Sequence, residues 1–388
     1  MNSGGTPGAG THDAASETAA PGDAIGRDAT KGGTLAAAAA ASQSPPPGSD
    51  EELDDLLSTP SPATIDALAR CPGDVVVLGA GGKMGPTLTR MLRRSLDALE
   101  RDGGPRRRVY AVSRWSSDGA EHALRTAGVE TVRADLTSQA DVARLPDAPN
   151  VVYMAGQKFG TRDSPASTWA MNVVAPVLCA ERYAGARIVA FSTGNVYPLV
   201  PVAGRGASET DPVAPAGEYA ASCVGRERVF EHISRTRGTP VAIFRLNYAV
   251  DLRYGVLVDL AVRVLRGEPV SVAMGYANVI WQGDANRAAI ECLPHASSPP
   301  FVVNVTGASV LSVREAARDL GRLLGREPMI VGEEAPDALL SDTARMRQTL
   351  STPTVPESQL LAWVADWVAR GGTLLGKPTK FEVRDGTY

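Results

Sequence analysis

The chain has 388 residues, 44 % of them apolar, enough for a large core and for more than one average domain. A net charge of −4 and an isoelectric point near 5.7 give no basic footprint, so nucleic acid is not an expected partner. The four cysteines, at 71, 179, 223 and 292, form no C-x-x-C pair, which argues against a zinc knuckle or a disulfide framework and suits a reducing cytoplasm. No apolar run approaches the roughly 18 residues that a membrane helix needs.

Residues 1–50 are rich in Gly, Ala, Ser, Thr and Pro, and too poor in large apolar side chains to bury a core, so a disordered arm is expected. Asp13, Glu17, Asp23 and Asp28 stand where a secretory signal would carry its basic region. From Glu51 the texture changes. Leu53, Leu56 and Leu57, then Ile65, Leu68 and Ala69, recur at helical spacings and predict a helical collar over 51–72.

The run Val75-Val-Val-Leu78 then reads as one buried strand. It passes directly into Gly79-Ala-Gly81-Gly82-Lys83-Met84-Gly85, and Met84, Leu88, Met91 and Leu92 follow with helical spacing. Strand, glycine turn and helix aim backbone N–H groups and the positive end of the helix dipole at one spot, which suits a pyrophosphate. The glycines at 79, 82 and 85 are three apart, whereas the older G-x-G-x-x-G fingerprint would put its last glycine at 84.

Further strands are expected at 109–112, 130–133, 151–154, 187–191 and 241–246, with helices at 118–127, 167–183 and 217–236 between them. Six strands alternating with helices predict an α/β fold, a doubly wound parallel sheet over 73–250 with its ligand crevice at the carboxyl ends of the strands. Beyond Leu246 the rhythm breaks. Helices at 256–265, 285–292, 313–324 and 357–370, short strands near 270 and 279, and a strand at 301–305 predict a smaller lobe over 251–370. Residues 371–388 read as a loosely held tail.

A carboxylate at the end of the second strand would hold the ribose 2′-hydroxyl of NAD, and an arginine there the 2′-phosphate of NADP. The strand ends Val112-Ser113-Arg114-Trp115, with no acid, which favours NADP. After the third strand, Asp135 and Leu136 are candidates for the adenine end, though an aspartate there also caps turns.

The fifth strand ends Phe191-Ser192-Thr193-Gly194-Asn195-Val196-Tyr197, and Glu218-Tyr219-Ala-Ala-Ser222-Cys223-Val-Gly-Arg226-Glu227 comes about twenty residues later. With the glycine spacing, Ala155-Gly156, Trp169-x-x-Asn172, Arg245-Leu246 and Trp281-Gln-Gly-Asp284, the chain resembles the extended short-chain dehydrogenase/reductase superfamily over residues 75–324. The NAD(P)-dependent sugar epimerases and dehydratases are the nearest in pattern. The resemblance implies a Rossmann-like fold with a small C-terminal substrate-binding lobe, and a homodimer packed through helices 167–183 and 217–236. It sets Gly79, Gly81, Gly82, Lys83, Met84 and Gly85 at the cofactor, together with Ser113, Arg114, Asp135 and Leu136, and with Ala155, Gly156, Lys158 and Asn172. Thr193 falls at the catalytic Ser/Thr position and Tyr219 at the catalytic tyrosine. Asn195, Tyr197, Asn247 and Arg253 stand where substrate is held.

The chemistry explains those types. Oxidising a secondary alcohol requires a group that takes the hydroxyl proton as hydride leaves, and a phenolate bonded to the same oxygen can do so. A free tyrosine titrates near 10, so work at pH 7 asks for a shift of roughly 3 units, about 4 kcal/mol. In the family, that shift comes from the nicotinamide charge and a lysine four residues after the tyrosine.

Here position 223 is cysteine, and three readings stay open. Another cation substitutes: Lys158, in Ala155-Gly156-Gln157-Lys158, which resembles the A-G-x-K of UDP-galactose 4-epimerases, or Arg226, seven residues along the helix from Tyr219. Alternatively Cys223 is itself an acid/base or nucleophile. In the third reading the site binds dinucleotide without turnover and Cys223 is merely packed. The expected function is therefore an NAD(P)-dependent oxidoreductase or epimerase acting on a secondary alcohol of a small, sugar-like or other polyol substrate. The alternative is a dinucleotide-binding regulatory or scaffold protein. His12, His122, His232 and His295 lie away from the strand ends, and no metal is expected.

Overall fold

Runs of apolar and β-branched residues without polar alternation suit strands covered on both faces, and they build the sheet here apart from its polar edge strand at Glu130–Arg133. In the computed structural model, which describes residues 45–387 apart from 116–117 and 161–162, the strands are β1 (Val75–Leu78), β2 (Val109–Ser113), β3 (Glu130–Arg133), β4 (Asn150–Tyr153), β5 (Arg187–Thr193), β6 (Val241–Leu246) and β7 (Phe301–Val305). They lie in the order β7-β6-β5-β4-β1-β2-β3, and every neighbouring pair is parallel. This is the doubly wound, Rossmann-like sheet that the alternation predicts. The arm expected over residues 1–50 falls, up to residue 44, outside the described residues.

One strand differs from expectation. Residues 301–305, expected in the smaller lobe, pair with β6 instead, Phe301 opposite Ala242 and Val305 opposite Leu246. Parallel pairing fixes no sequence distance between partners, so a strand's own residues do not say which sheet it joins.

Helices cover both faces. The collar is two helices, α1 (Asp50–Leu57) and α2 (Pro62–Ala69); α2 starts with Pro62 after a Ser61–Thr64 capping box. α3 (Gly85–Arg101) lays Leu88, Met91 and Leu92 against Val75, Val77 and Val189. The helix expected over 167–183 is broken into Pro165–Trp169, a π-turn Ala170–Val174 and Ala175–Arg182. The next long helix, Gly217–Arg237, which we label α4, carries Tyr219, Cys223 and Arg226, and its Phe230 meets Tyr153 edge-on with ring centroids 5.2 Å apart.

The lobe has its own core, in which Trp281, Trp363 and Trp367 pack with Leu53 and Leu57 of α1. The tail belongs to that core too, which corrects the expectation of a loose end. Phe381 is buried, Thr379 donates through N and Oγ1 to Asp259 Oδ2 at 2.8 and 2.6 Å, Glu382 pairs with Arg263 at 2.5 Å, and Arg384 pairs with Asp337. A single aromatic anchor among polar residues leaves no periodic signature, so the docking is invisible to pattern reading.

Beneath the strand ends, α4 is stitched to the sheet by a buried ion pair. Arg245 on β6 donates from Nε and Nη2 to the two carboxylate oxygens of Glu227 at 2.9 and 2.7 Å, Ser192 Oγ donates to the same carboxylate, and Arg245 Nη1 donates to Tyr197 Oη at 2.6 Å. Among the described residues, no helix is long and apolar enough to cross a membrane.

Candidate functional site

The glycine turn after β1 is the neck between two cavities. Gly79 adopts φ +95°, and a Cβ there would lie 2.6 Å from the backbone N of Ala155 at the end of β4. Gly85 opens α3 so close to the turn that a Cβ would lie 2.2 Å from the Ala80 carbonyl oxygen. Only glycine fits either place. Met84 precedes the helix and no side chain caps its N-terminus, so the dipole end faces the neck. On one side lies a cavity of about 430 Å³, lined among others by Gly81, Ser113, Arg114, Trp115, Ala155 and Leu136. On the other lies one of about 390 Å³ with Lys83, Met84, Lys158, Thr193, Asn195, Tyr219 and Asn247 in its wall. Gly79, Gly82, Met154 and Gly156 line both. Two cavities joined at an uncapped helix N-terminus, behind glycines that leave the backbone bare, fit a dinucleotide with its diphosphate at the neck.

At the far end of the second cavity Tyr219, on the first turn of α4, meets Thr193 at the end of β5. Their hydroxyls share a hydrogen bond, and Thr193 Oγ1 in turn donates to Asn195 Oδ1 at 3.0 Å and accepts from Asn195 N at 3.2 Å. Withdrawal of the Tyr219 hydroxyl from water pushes its phenol well above the ordinary tyrosine value; the nearby Cys223 adds to the rise, and the Arg226 guanidinium only partly offsets it. Cys223 is fully buried, hydrogen-bonded to Tyr219, absent from both cavity walls, and raised by burial. A buried thiol with a raised value is a poor nucleophile. Arg226 is also buried, donating to the Phe191 carbonyl at 2.9 Å and to Asn172 Oδ1 at 2.6 Å.

Two lysines stand in the same wall. Lys83 Nζ sits 3.2 Å from the Tyr254 ring centroid and 4.8 Å from that of Phe159; Lys158 Nζ lies 5.8 Å from the Tyr219 ring. Burial, then the charge of Lys158, lowers Lys83 to about 7, and burial lowers Lys158 to about 8. Because both folded values lie below the unfolded lysine value, the unfolded chain binds more protons across this range, and stability rises with pH there. The midpoint of thermal unfolding of the ligand-free protein is expected to climb between pH 6 and 8, and the climb to shrink in Lys83→Met, which keeps the stem on Tyr254. Calorimetry at the two pH values checks this; an equal climb in both proteins would contradict it.

Several expected residues do other work. Tyr197 is buried, and its hydroxyl accepts from Arg245 and donates to Asn304 Oδ1 at 2.9 Å, so it braces β5 to β7 instead of facing the main cavity. Arg253 lies outside that wall too, because its guanidinium is held by Asp54 at 2.8 Å and Asp251 at 3.3 Å. The carboxylate of Asp135 accepts from N and Oγ1 of Thr137, closing a turn, and its neighbours Ala134 and Leu136 reach the cavity in its place. Asn172 sits in the π-turn under the site: Nδ2 donates to the Gln157 carbonyl and Ser222 Oγ, while Oδ1 accepts from Gln157 N and Arg226. It fixes the chain segment before Lys158 without lining either cavity. Thr379, from the presumed tail, and Phe159 do line the Tyr219 cavity, and neither carries a sequence signal of its own.

Residues 75–256 match the profile described as the NAD dependent epimerase/dehydratase family. No curated protein sequence matches the chain. Among solved structures, the chain is similar to a UDP-glucose 4-epimerase of Thermotoga maritima solved with UDP-glucose, at 19 % identity over 76 % of this chain and 99 % of that one, TM-score 0.63. It is similar to the Thermus thermophilus UDP-glucose 4-epimerase solved with NAD, at 22 % over 77 % and 99 %, TM-score 0.61. A third likeness is to DesIV, a dTDP-glucose 4,6-dehydratase of Streptomyces venezuelae solved with NAD and TYD, at 20 % over 77 % and 97 %, TM-score 0.63. At these identities the likeness is one of fold.

Proposed function

We infer, from the premise that residues 75–256 form a domain of the NAD dependent epimerase/dehydratase family, that the chain is an oxidoreductase or epimerase acting on a secondary alcohol of a sugar-like, nucleotide-linked substrate. The observation that carries this reading is the Tyr219–Thr193 hydroxyl pair in a cavity that opens directly onto the glycine neck. A bound nicotinamide supplies the hydride acceptor. Thr193 orients the substrate oxygen, and Tyr219 exchanges the proton with it. Lys158 and the buried Arg226 bring the positive charge that position 223 lacks, one from the cavity wall and one from beneath. Asn195 and Asn247 face the substrate. The neighbours' titles name UDP-glucose and a dTDP-glucose dehydratase, which supports a sugar-nucleotide substrate. The reading includes a homodimer through residues 165–182 and α4, where Trp169 and Val174 remain 40 % and 48 % exposed.

The raised phenol and buried Cys223 favour a second reading, a dinucleotide-binding scaffold without turnover. Calorimetric titration with NAD and with NADP separates the possibilities. Both are expected to bind, NADP more tightly, because the end of β2 offers Ser113 and Arg114 without an acid. Binding of neither overturns both readings; binding with no change in nicotinamide absorbance on adding UDP-glucose or dTDP-glucose favours the scaffold.

A further inference from the structure

Of the 39 basic residues only Lys31, Lys83, Lys158, Lys377 and Lys380 are lysine, and the other 34 are arginine. Two of the five stand in the wall of the Tyr219 cavity, and two more flank Thr379, which lines the same cavity. A chain that uses arginine almost everywhere else thus places lysine at this one opening. The wall contains no Asp, Glu or Arg among the described residues. The nearest acids felt by Lys83 are engaged: Asp259 accepts from Thr379, and Asp251 accepts from Arg253 and from the backbone N of Tyr254.

We propose that the segment around Thr379 is part of the ligand site, with Lys377 and Lys380 placed to hold a phosphate or diphosphate group of the molecule that enters the Tyr219 cavity. The proposal rests on the functional reading above and adds to it an element outside the family-matched residues 75–256. The geometry is that of a strap. Phe381 anchors it in the lobe core, the two Thr379 hydrogen bonds to Asp259 fix its height over the cavity, and both lysines stay exposed on either side. Lys380 holds φ +54°, a backbone conformation that side-chain-bearing residues rarely adopt and that clusters at ligand-binding segments. The charge of Lys377 is felt by Lys83 and that of Lys380 by Lys158, so each lysine of the strap lies near one lysine of the cavity wall. Like charges gathered without an acid repel until an anion joins them. A compact ammonium serves a phosphate as a point charge, and repacks on a strap more readily than the planar guanidinium fork.

The test is calorimetric titration of the NAD-saturated protein with pyrophosphate, and with succinate as a dicarboxylate control. The native chain is expected to bind pyrophosphate and not succinate; K377Q/K380Q is expected to bind pyrophosphate about tenfold more weakly, with the difference shrinking at high salt. K377R/K380R, which keeps the charge, is expected to restore it, and unchanged melting of both variants shows that the strap still docks. Equal affinity in the native chain and K377Q/K380Q, no pyrophosphate binding by the native chain, or failure of the arginine variant to rescue would overturn the proposal. NAD affinity is read in the same titrations: its loss in the native chain counts against the functional reading, whereas the comparison of native chain and lysine variants still decides the strap.

Discussion

Tyr219→Phe is expected to lower turnover by about 10²–10⁴-fold while leaving NAD affinity within roughly a factor of two. The substitution removes one oxygen, the atom that shares a hydrogen with Thr193 and would pass a proton to or from the substrate. It leaves the ring in place and the glycine neck untouched, so a matching fall in NAD affinity would point to collapse of the cavity instead. The pH profile gives a second readout. With the phenol held well above its ordinary value, the ionised fraction grows tenfold per pH unit, so the rate of alcohol oxidation is expected to keep rising through pH 9 instead of levelling near 7. Cys223→Ala serves as the control. Because the thiol is buried and raised, its loss is expected to change turnover by no more than about threefold; a fall as deep as that of Tyr219→Phe would transfer the proton to sulfur.

The largest loss of stability is expected from Arg245→Met, about 3–5 kcal/mol. The guanidinium is almost fully buried and holds the equally buried Glu227 with two parallel hydrogen bonds. Removing it strands a carboxylate between β5, β6 and α4, with only Ser192 Oγ still donating to it, and leaves Tyr197 with Asn304 alone. Urea unfolding of the single variant checks the size. The double variant Arg245→Met with Glu227→Leu is expected to regain most of the loss, because the cost lies in the unpaired charge more than in the missing pair. A double variant as unstable as the single would mean that the packing around Tyr197 decides instead.

Most of the sheet was readable because its inner strands are short, nearly unbroken apolar runs, and the edge strand Glu130–Arg133, which is not, is placed by its position in the strand–helix alternation; the expected bounds of Glu130–Arg133, Val241–Leu246 and Phe301–Val305 match the observed ones. Tyr219, Thr193 and the glycines were readable because their spacing is local: a strand end, a helix turn and a loop. What escaped was long-range partnership. Tyr197 reads as a residue near the substrate until Asn304, 107 positions away, takes its hydroxyl. Arg253 reads as an anion ligand until Asp54 of α1 folds against it. The π-turn at Ala170–Val174 leaves no mark in a helical pattern, although it contains Asn172, which bonds Gln157. The segment near Thr379 is polar and glycine-punctuated, and only the lobe core shows that Phe381 pins it.

The return of β7 to the sheet has a mechanical consequence. The backbone leaves the sheet after β6, comes back to pair along five residues with it, and departs again for the helices beyond. Because the chain enters the lobe both before and after β7, any shift of the lobe against the sheet has to bend the backbone at each of these crossings, while the β6–β7 ladder itself stays within the sheet.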